Sequence, residues 1–356
     1  MNARAKFVRL VPALLVGMVN ISAVVRKPPA PVALAWPPSG ASCRVEYIQS
    51  ISSPGDLAIH SGFLSKLATV VFGPSEKPNK LVRPFAIASD STGRIAVTDP
   101  GMGAVHLLDP GRNRHKVVQG SGRERFRSPI GLDFDRGGNL YVADSVLGKI
   151  FVFAKDGGFR HCIGEVRREG LFKRPTGLAV ERSSGRIFLT DTLRHKVYVL
   201  DASGKIESEW GRRGEGPGEF NFPTDVALGG DDRVFVLDAM NFRVQIFTRS
   251  GQYVSSFGKP ANEPGGFFRP KGIAVDESSR LVYVADAMFQ VVQAFSFEGK
   301  LAFAWGHDGS APGEFRLPAG LCVQPGGRLL VADSYNNRIQ VFRSLELRPA
   351  GQGGTW

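Results

Sequence analysis

Short apolar runs recur along this chain at a near-constant spacing. Residues 94–99 read RIAVTD, 139–144 NLYVAD, 186–191 RIFLTD, 233–238 RVFVLD, 281–286 LVYVAD and 328–333 RLLVAD. Each run ends in an aspartate: Asp99, Asp144, Asp191, Asp238, Asp286 and Asp333, separated by 45, 47, 47, 48 and 47 residues. The surroundings repeat as well. A proline comes first (Pro84, Pro129, Pro175, Pro223, Pro270, Pro318), then an apolar run such as GLAV or GIAV, then a polar turn such as DSTGR or QPGGR. After the aspartate come a third run, a weaker fourth run closing on FG or WG, and a Gly-rich link. Runs this short, rich in Val, Ile, Phe and Tyr and bounded by Gly and Asp, predict strands. Four strands per unit, six units and no helical period between them predict an all-β chain, a six-bladed β-propeller of four-stranded blades. A parallel β-helix would need shorter repeats.

Five residues beyond the aspartates stand Lys149, Lys196, Arg243 and Arg338, with Ala104 and Val291 in the other two units. An acid written six times, its base missing twice, is architecture rather than a catalytic dyad. The expectation is that each aspartate accepts N–H groups of the turn between the second and third strands and faces its base. The pattern P-x-G-I/L-A-V, then Y/F-V-A-D-x-x-N-x-R-I/V-Q-V/I-F, then G-x-x-G-E-F, resembles the NHL repeat over residues 83–343. DAMNFRVQIF and DSYNNRIQVF match best, and DPGMGAVHLLD in the first unit departs most. The resemblance implies a six-bladed propeller. It implies no single function, since such propellers serve as protein-binding, RNA-binding, sensor and occasionally enzyme modules.

The flanks divide the remainder. In residues 1–27, Arg4, Lys6 and Arg9 precede LVPALLVGMVNISAVV, the signature of a signal peptide or membrane anchor, short for a full span. This predicts export to the periplasm or extracellular space. Residues 28–43 form a Pro-rich linker. Residues 44–51, RVEYIQSI, are expected to supply the outer strand of blade six, because the tail 344–356 has no strand pattern and an open edge would otherwise remain. Residues 52–82 hold one short helix and a linker, with Phe63, Leu64, Leu67, Val70 and Val71 on one face of 61–73. A monomeric propeller is expected.

Composition adds charge. With 45 Lys and Arg against 33 Asp and Glu, the net charge is +12. The excess lies in the blade-to-blade links, densest in the first three: Arg123, Arg125, Arg127, Arg167, Arg168, Lys173, Arg174, Arg212 and Arg213, with Lys259, Arg269, Lys271 and Arg316 further on. Clustered cations attract anionic partners, and arginine grips carboxylates bidentately. The expected function is a non-enzymatic exported scaffold whose basic link face binds an acidic protein or anionic polymer. No catalytic residue, metal or cofactor is assigned. The alternative, a propeller lyase or lactonase with an axial metal, needs ligands on the first strands, and these offer only Asp133 and Asp225. Cys43, Cys162 and Cys322 have neither metal-ligand nor disulfide-framework spacing. GRRGEGPGEF suggests a phosphate loop but opens no helix. RNA binding, the second alternative, is permitted by charge; the signal-like N-terminus and the lack of aromatics among the basic links argue against nucleic acid. Membrane contact is expected only through the N-terminal segment.

Overall fold

The computed structural model describes residues 34–37, 43–59, 80–166 and 169–346. Six antiparallel sheets build a six-bladed propeller; five have four strands and one has five. Blade three is representative: Pro175–Val180, Ile187–Asp191, Lys196–Leu200 and Ile206–Trp210 follow in chain order from the axis outward. Second strands such as Leu140–Asp144 and Leu281–Asp286 are buried along their whole length. Both their faces are covered by neighbouring blades, so they need continuous apolar runs rather than alternation. The core therefore lies between blades. Ile87, Ile95 and Val97 of blade one pack with Leu330, Ala332 and Ile339 of blade six, which closes the circle.

The repeated P-x-G has a steric cause. A Cβ on Gly131 would stand 1.9 Å from the Thr176 carbonyl oxygen, and one on Gly272 2.3 Å from that of Ala319. One on Gly320 would stand 2.4 Å from the Phe85 carbonyl oxygen. Each glycine marks where the next blade's inner strand passes in contact at the axis, leaving no room for a side chain. Blade four carries Asp225 at this position.

In blade six, Cys43–Ile51 pairs antiparallel with Arg338–Glu346, so its fourth strand comes from the N-terminal side of the chain. Ala35–Trp36 adds the fifth strand, against Val45 and Glu46. This addition has no sequence signal of its own; Trp36 is held by an edge contact with Phe342 at 6.1 Å. The segment 1–27, the helix expected at 61–73, and the tail beyond 346 lie outside the described residues. Within 52–82 the described part holds a single 3₁₀ turn, Pro54–Leu57. Among the described residues no helix is long and apolar enough to cross a membrane.

Candidate functional site

All six repeated aspartates are fully buried. Their main partners are not the expected turn but the backbone that leads into the same blade's inner strand. Asp99 accepts from Val82 and Arg83, Asp144 from Arg127 and Ser128, and Asp191 from Lys173 and Arg174. Asp238 accepts from Asn221, Asp286 from Phe268 and Arg269, and Asp333 from Arg316. Among the described residues only Asp144 and Asp286 also accept backbone N–H groups of the following turn, while Asp238 and Asp333 accept the side-chain amides of the turn residues Asn241 and Asn336.

The expected acid–base pairing holds in two blades. Arg243 Nε lies 2.9 Å from Asp238, and Arg338 Nε 2.7 Å from Asp333. The lysines turn elsewhere. Lys149 sits between Glu124 and Glu165 at 2.7 and 3.0 Å, and Lys196 joins Glu209. Burial alone would lower the Lys149 pKa, but its two carboxylates raise it. An ammonium is a point charge, whereas the guanidinium fork can bridge several acceptors at once. Arg243 also donates to the carbonyls of Gly216 and Glu219, and Arg338 to those of Ala311 and Glu314. Asn241, Gln245, Asn336 and Gln340 bind the same links. The D-x-x-N-x-R-x-Q pattern thus fastens a link 24 to 27 residues upstream. It clamps the fully buried Phe220 and Phe315 of G-E-F beneath it.

In blade one the glutamine position is taken by His106. Its Nδ1 meets His115 Nε2 at 3.1 Å, while its buried Nε2 has no hydrogen-bond partner. Burial, then the neighbouring His115, push the His106 pKa down to about 4. A histidine whose folded value lies below its unfolded 6.5 contributes stability above that pH and loses it as the pH falls towards 4. His106→Gln is expected to remove up to about 3 kcal/mol of this acid sensitivity. Buried Asp133 and Asp225, raised to about 6 and about 7, act in the opposite sense, losing stability as the pH climbs. Comparing variant with parent separates the aspartates from the coupled pair His106 and His115. A melting-temperature difference that is the same at about pH 4.5 and about pH 7.5 would exclude the effect.

The links and the second-to-third-strand turns share one face, since the bonds above join them. Here Arg123, Arg125, Arg127, Lys173, Arg174, Arg213 and Arg269 are exposed, and none has a carboxylate within 4.0 Å among the described residues. Most acids of this face are paired: Glu124 and Glu165 with Lys149, Glu219 with Arg212, Glu263 with Lys259, Asp308 with Arg316; Glu215 is exposed and has no ion pair among the described residues. Arg167 and Arg168 lie outside the described residues. Beside these cations, Val82, Val146, Met240, Phe268, Met288 and Tyr335 are exposed. The opposite face is mixed. There Arg94 pairs with Asp90, Arg186 and Arg249 with Glu181, and Arg233 with Asp231, while Arg136, Lys155 and Arg182 are exposed with no carboxylate within 4.0 Å among the described residues.

Where the link face meets the axis a funnel of about 510 Å³ opens, lined by Arg174, Thr224, Phe222, Met240, Phe268, Arg269 and Lys271. Of the cations in the first three links only Arg174 reaches it; Arg269 and Lys271 join it from blade five, nearly a hundred residues away. A cavity of about 690 Å³ opens on the other side, lined by Asp133, Asp225, Glu181, Arg182, Arg249 and Glu277 among others. Its two axial aspartates are occupied. Asp133 accepts from Phe134 and from Val180 of the next blade, and Asp225 from Val226 and Ile273. They staple neighbouring inner strands. Among the described residues no three His, Cys, Asp or Glu side chains stand together as a metal site. Burial pushes the thiols of Cys162 and Cys322 up to about 11 and about 12, which makes them poor nucleophiles.

Comparison with known proteins agrees with this architecture. The NHL repeat family matches residues 315–342, and a family described as a 6-bladed beta-propeller, DUF5128, matches 171–232 and 228–311. The peptidyl-glycine alpha-amidating monooxygenase of Mus musculus is 32% identical over 134 residues, 34% of this chain but only 13% of that protein. A catalytically inactive virginiamycin B lyase from Staphylococcus aureus, solved with quinupristin, aligns with a TM-score of 0.53 at 15% identity, covering 75% of this chain and 96% of that one. An auxiliary nutrient binding protein from Bacteroides ovatus aligns with a TM-score of 0.57 at 13% identity, covering 75% and 70%. At such identities the structural likeness is one of fold.

Proposed function

We propose that this chain, an NHL-repeat protein folded as a six-bladed β-propeller, is a binding module that takes an acidic protein surface on its link face. The observation that carries this is the set of seven exposed cations with no carboxylate within 4.0 Å among the described residues, beside six exposed apolar side chains. Arginine, methionine and aromatic residues are the types enriched in protein interfaces, and an anionic polymer alone would have little use for the apolar ones. The paired arginines of the opposite face have their charge spent within the chain. The charged and apolar run at residues 4–25 supports an exported setting.

Reversing Arg123, Arg125, Arg127 and Arg213 to Glu is expected to weaken capture of the partner by at least about tenfold at physiological salt, without lowering the melting temperature. Reversing Arg136, Arg182 and Lys155 on the opposite face is the control. Equal loss in the two variants, or no loss in the first, would refute the assignment. Displacement by a polyanion without any contribution from the apolar side chains would favour a polymer instead.

A second reading, an enzyme acting at the axial funnel, is supported by Lys271. Burial, then Arg269 and Arg174, push its pKa down, the direction that suits a lysine base. The names of the monooxygenase and lyase relatives are compatible with it. Turnover that disappears in Lys271→Met, with the fold intact, would establish it.

A further inference from the structure

We propose that the axial funnel is a separate site for a small-molecule dianion, a phosphate monoester carried on an apolar ring or chain. This goes beyond partner docking: Arg174 and Arg269 are also among the exposed cations of the link face, but with Lys271 they meet at the axis, in a funnel of small-molecule size that the outer cations Arg123, Arg125, Arg127 and Arg213 do not line.

The volume, about 510 Å³, is that of a small-molecule pocket. Three cations from two blades converge there: Arg174 of blade three, Arg269 and Lys271 of blade five. Asp225 is the only carboxylate in the lining, and both its oxygens accept backbone N–H groups, from Val226 at 2.9 Å and Ile273 at 3.1 Å. The cationic cluster therefore has no counter-ion of its own. Like charges gathered at a half-buried site repel one another, and an anion placed among them removes that cost. Two negative charges answer three positive ones better than one does, and guanidinium groups meet phosphate oxygens bidentately.

Two further features sit in the same lining. Thr224 Oγ1 is enclosed and has no hydrogen-bond partner. A buried hydroxyl left unpaired is costly, and a χ1 rotation that turns it into the funnel would let it donate to a phosphate oxygen. Phe222 stands at φ 54°, in the left-handed region that a bulky residue rarely adopts. Its N–H is fixed by His195 Nδ1 at 3.2 Å. Leu317, before Pro318 of blade six, shares this conformation at φ 49°, so it belongs to the repeat; in blade four it sets the place of the ring. With Met240 and Phe268, Phe222 gives the funnel an apolar wall for the body of the ligand.

The test is calorimetric titration of the full chain with phenyl phosphate, benzoate and inorganic phosphate. One saturable site is expected, with phenyl phosphate held about tenfold more tightly than either of the others, since only it offers both the second charge and the apolar body. Lys271→Met and Arg269→Gln should each weaken phenyl phosphate about tenfold. Lys271→Met relieves a repulsion and should melt no lower than the parent, so lost binding cannot be put down to unfolding. The variant reversed at Arg123, Arg125, Arg127 and Arg213 should keep the affinity within about twofold. Absence of saturation, equal affinity for benzoate, or unchanged binding in Lys271→Met would each overturn the proposal. Loss in the outer-link variant would overturn it too, by showing that the whole face, not the funnel, holds the anion. Failure of partner capture leaves these outcomes unaffected, so the two proposals fail separately.

Discussion

Removing residues 1–52 will open the ring and leave a chain that aggregates instead of melting cooperatively. The reference is a chain that starts at Leu34, which keeps every described strand. The shorter chain loses Cys43–Ile51 and with it the whole ladder along Arg338–Glu346. Val45 and Ile51, both buried, leave the cores around Phe342 and Ile339, and Phe342 loses the rings of Trp36 and Tyr47 while keeping those of Trp305 and Phe315. At about 1.5–3 kcal/mol per large buried side chain, the loss is at least about 5 kcal/mol, comparable to the entire stability of a domain. The uncovered nine-residue edge is then a template for pairing between molecules. Thermal melting with light scattering reads both effects. Equal melting temperatures for the two chains would disprove closure by the N-terminal strand.

Asp333→Ala is expected to cost about 3–5 kcal/mol, the range for a buried cation left without its partner. The carboxylate is fully buried and serves the Arg316 N–H, Asn336, Arg338 and Gln340 together. Asp286→Ala is the internal control. Blade five has Val291 in place of the arginine, so only backbone donors of Phe268, Arg269, Met288 and Phe289 are orphaned. That loss should be about 1–3 kcal/mol. Denaturant unfolding of the two variants measures the difference. Equal costs would show that the arginine contributes nothing through the aspartate. An Asp333→Ala protein as stable as the parent but unable to bind would move the aspartate from scaffold to site.

The repeating aspartates, prolines and short apolar runs made the six blades legible, because each is a local pattern with a local cause. What the aspartates hold was less legible. Their nearest polar neighbours in sequence are the turn residues and the base, yet their donors come from 16 to 18 residues upstream. The link-clamping role of Asn241, Arg243 and Gln245 was hidden for the same reason. Lys149 and Lys196 look equivalent to Arg243 when the units are laid over one another, but glutamates brought near by folding draw them away. His106 could have been found by noting that it falls seven residues after Asp99, where Gln245, Gln293 and Gln340 follow their own aspartates. The funnel left no sequence signal: Arg174, Thr224 and Lys271 sit near the starts of three inner strands and meet only when the ring closes. The density of arginine is highest in the first three links, and of these only Arg174 reaches the axis.

Recognition on the link face is tested most directly by amide hydrogen exchange of the propeller, alone and in complex with its captured partner. Added protection is expected in the links 120–128, 211–222 and 258–269 and in the turns around Met240 and Met288, with no change at the turns 90–94, 181–186 and 229–233. Protection confined to those last three turns would contradict it.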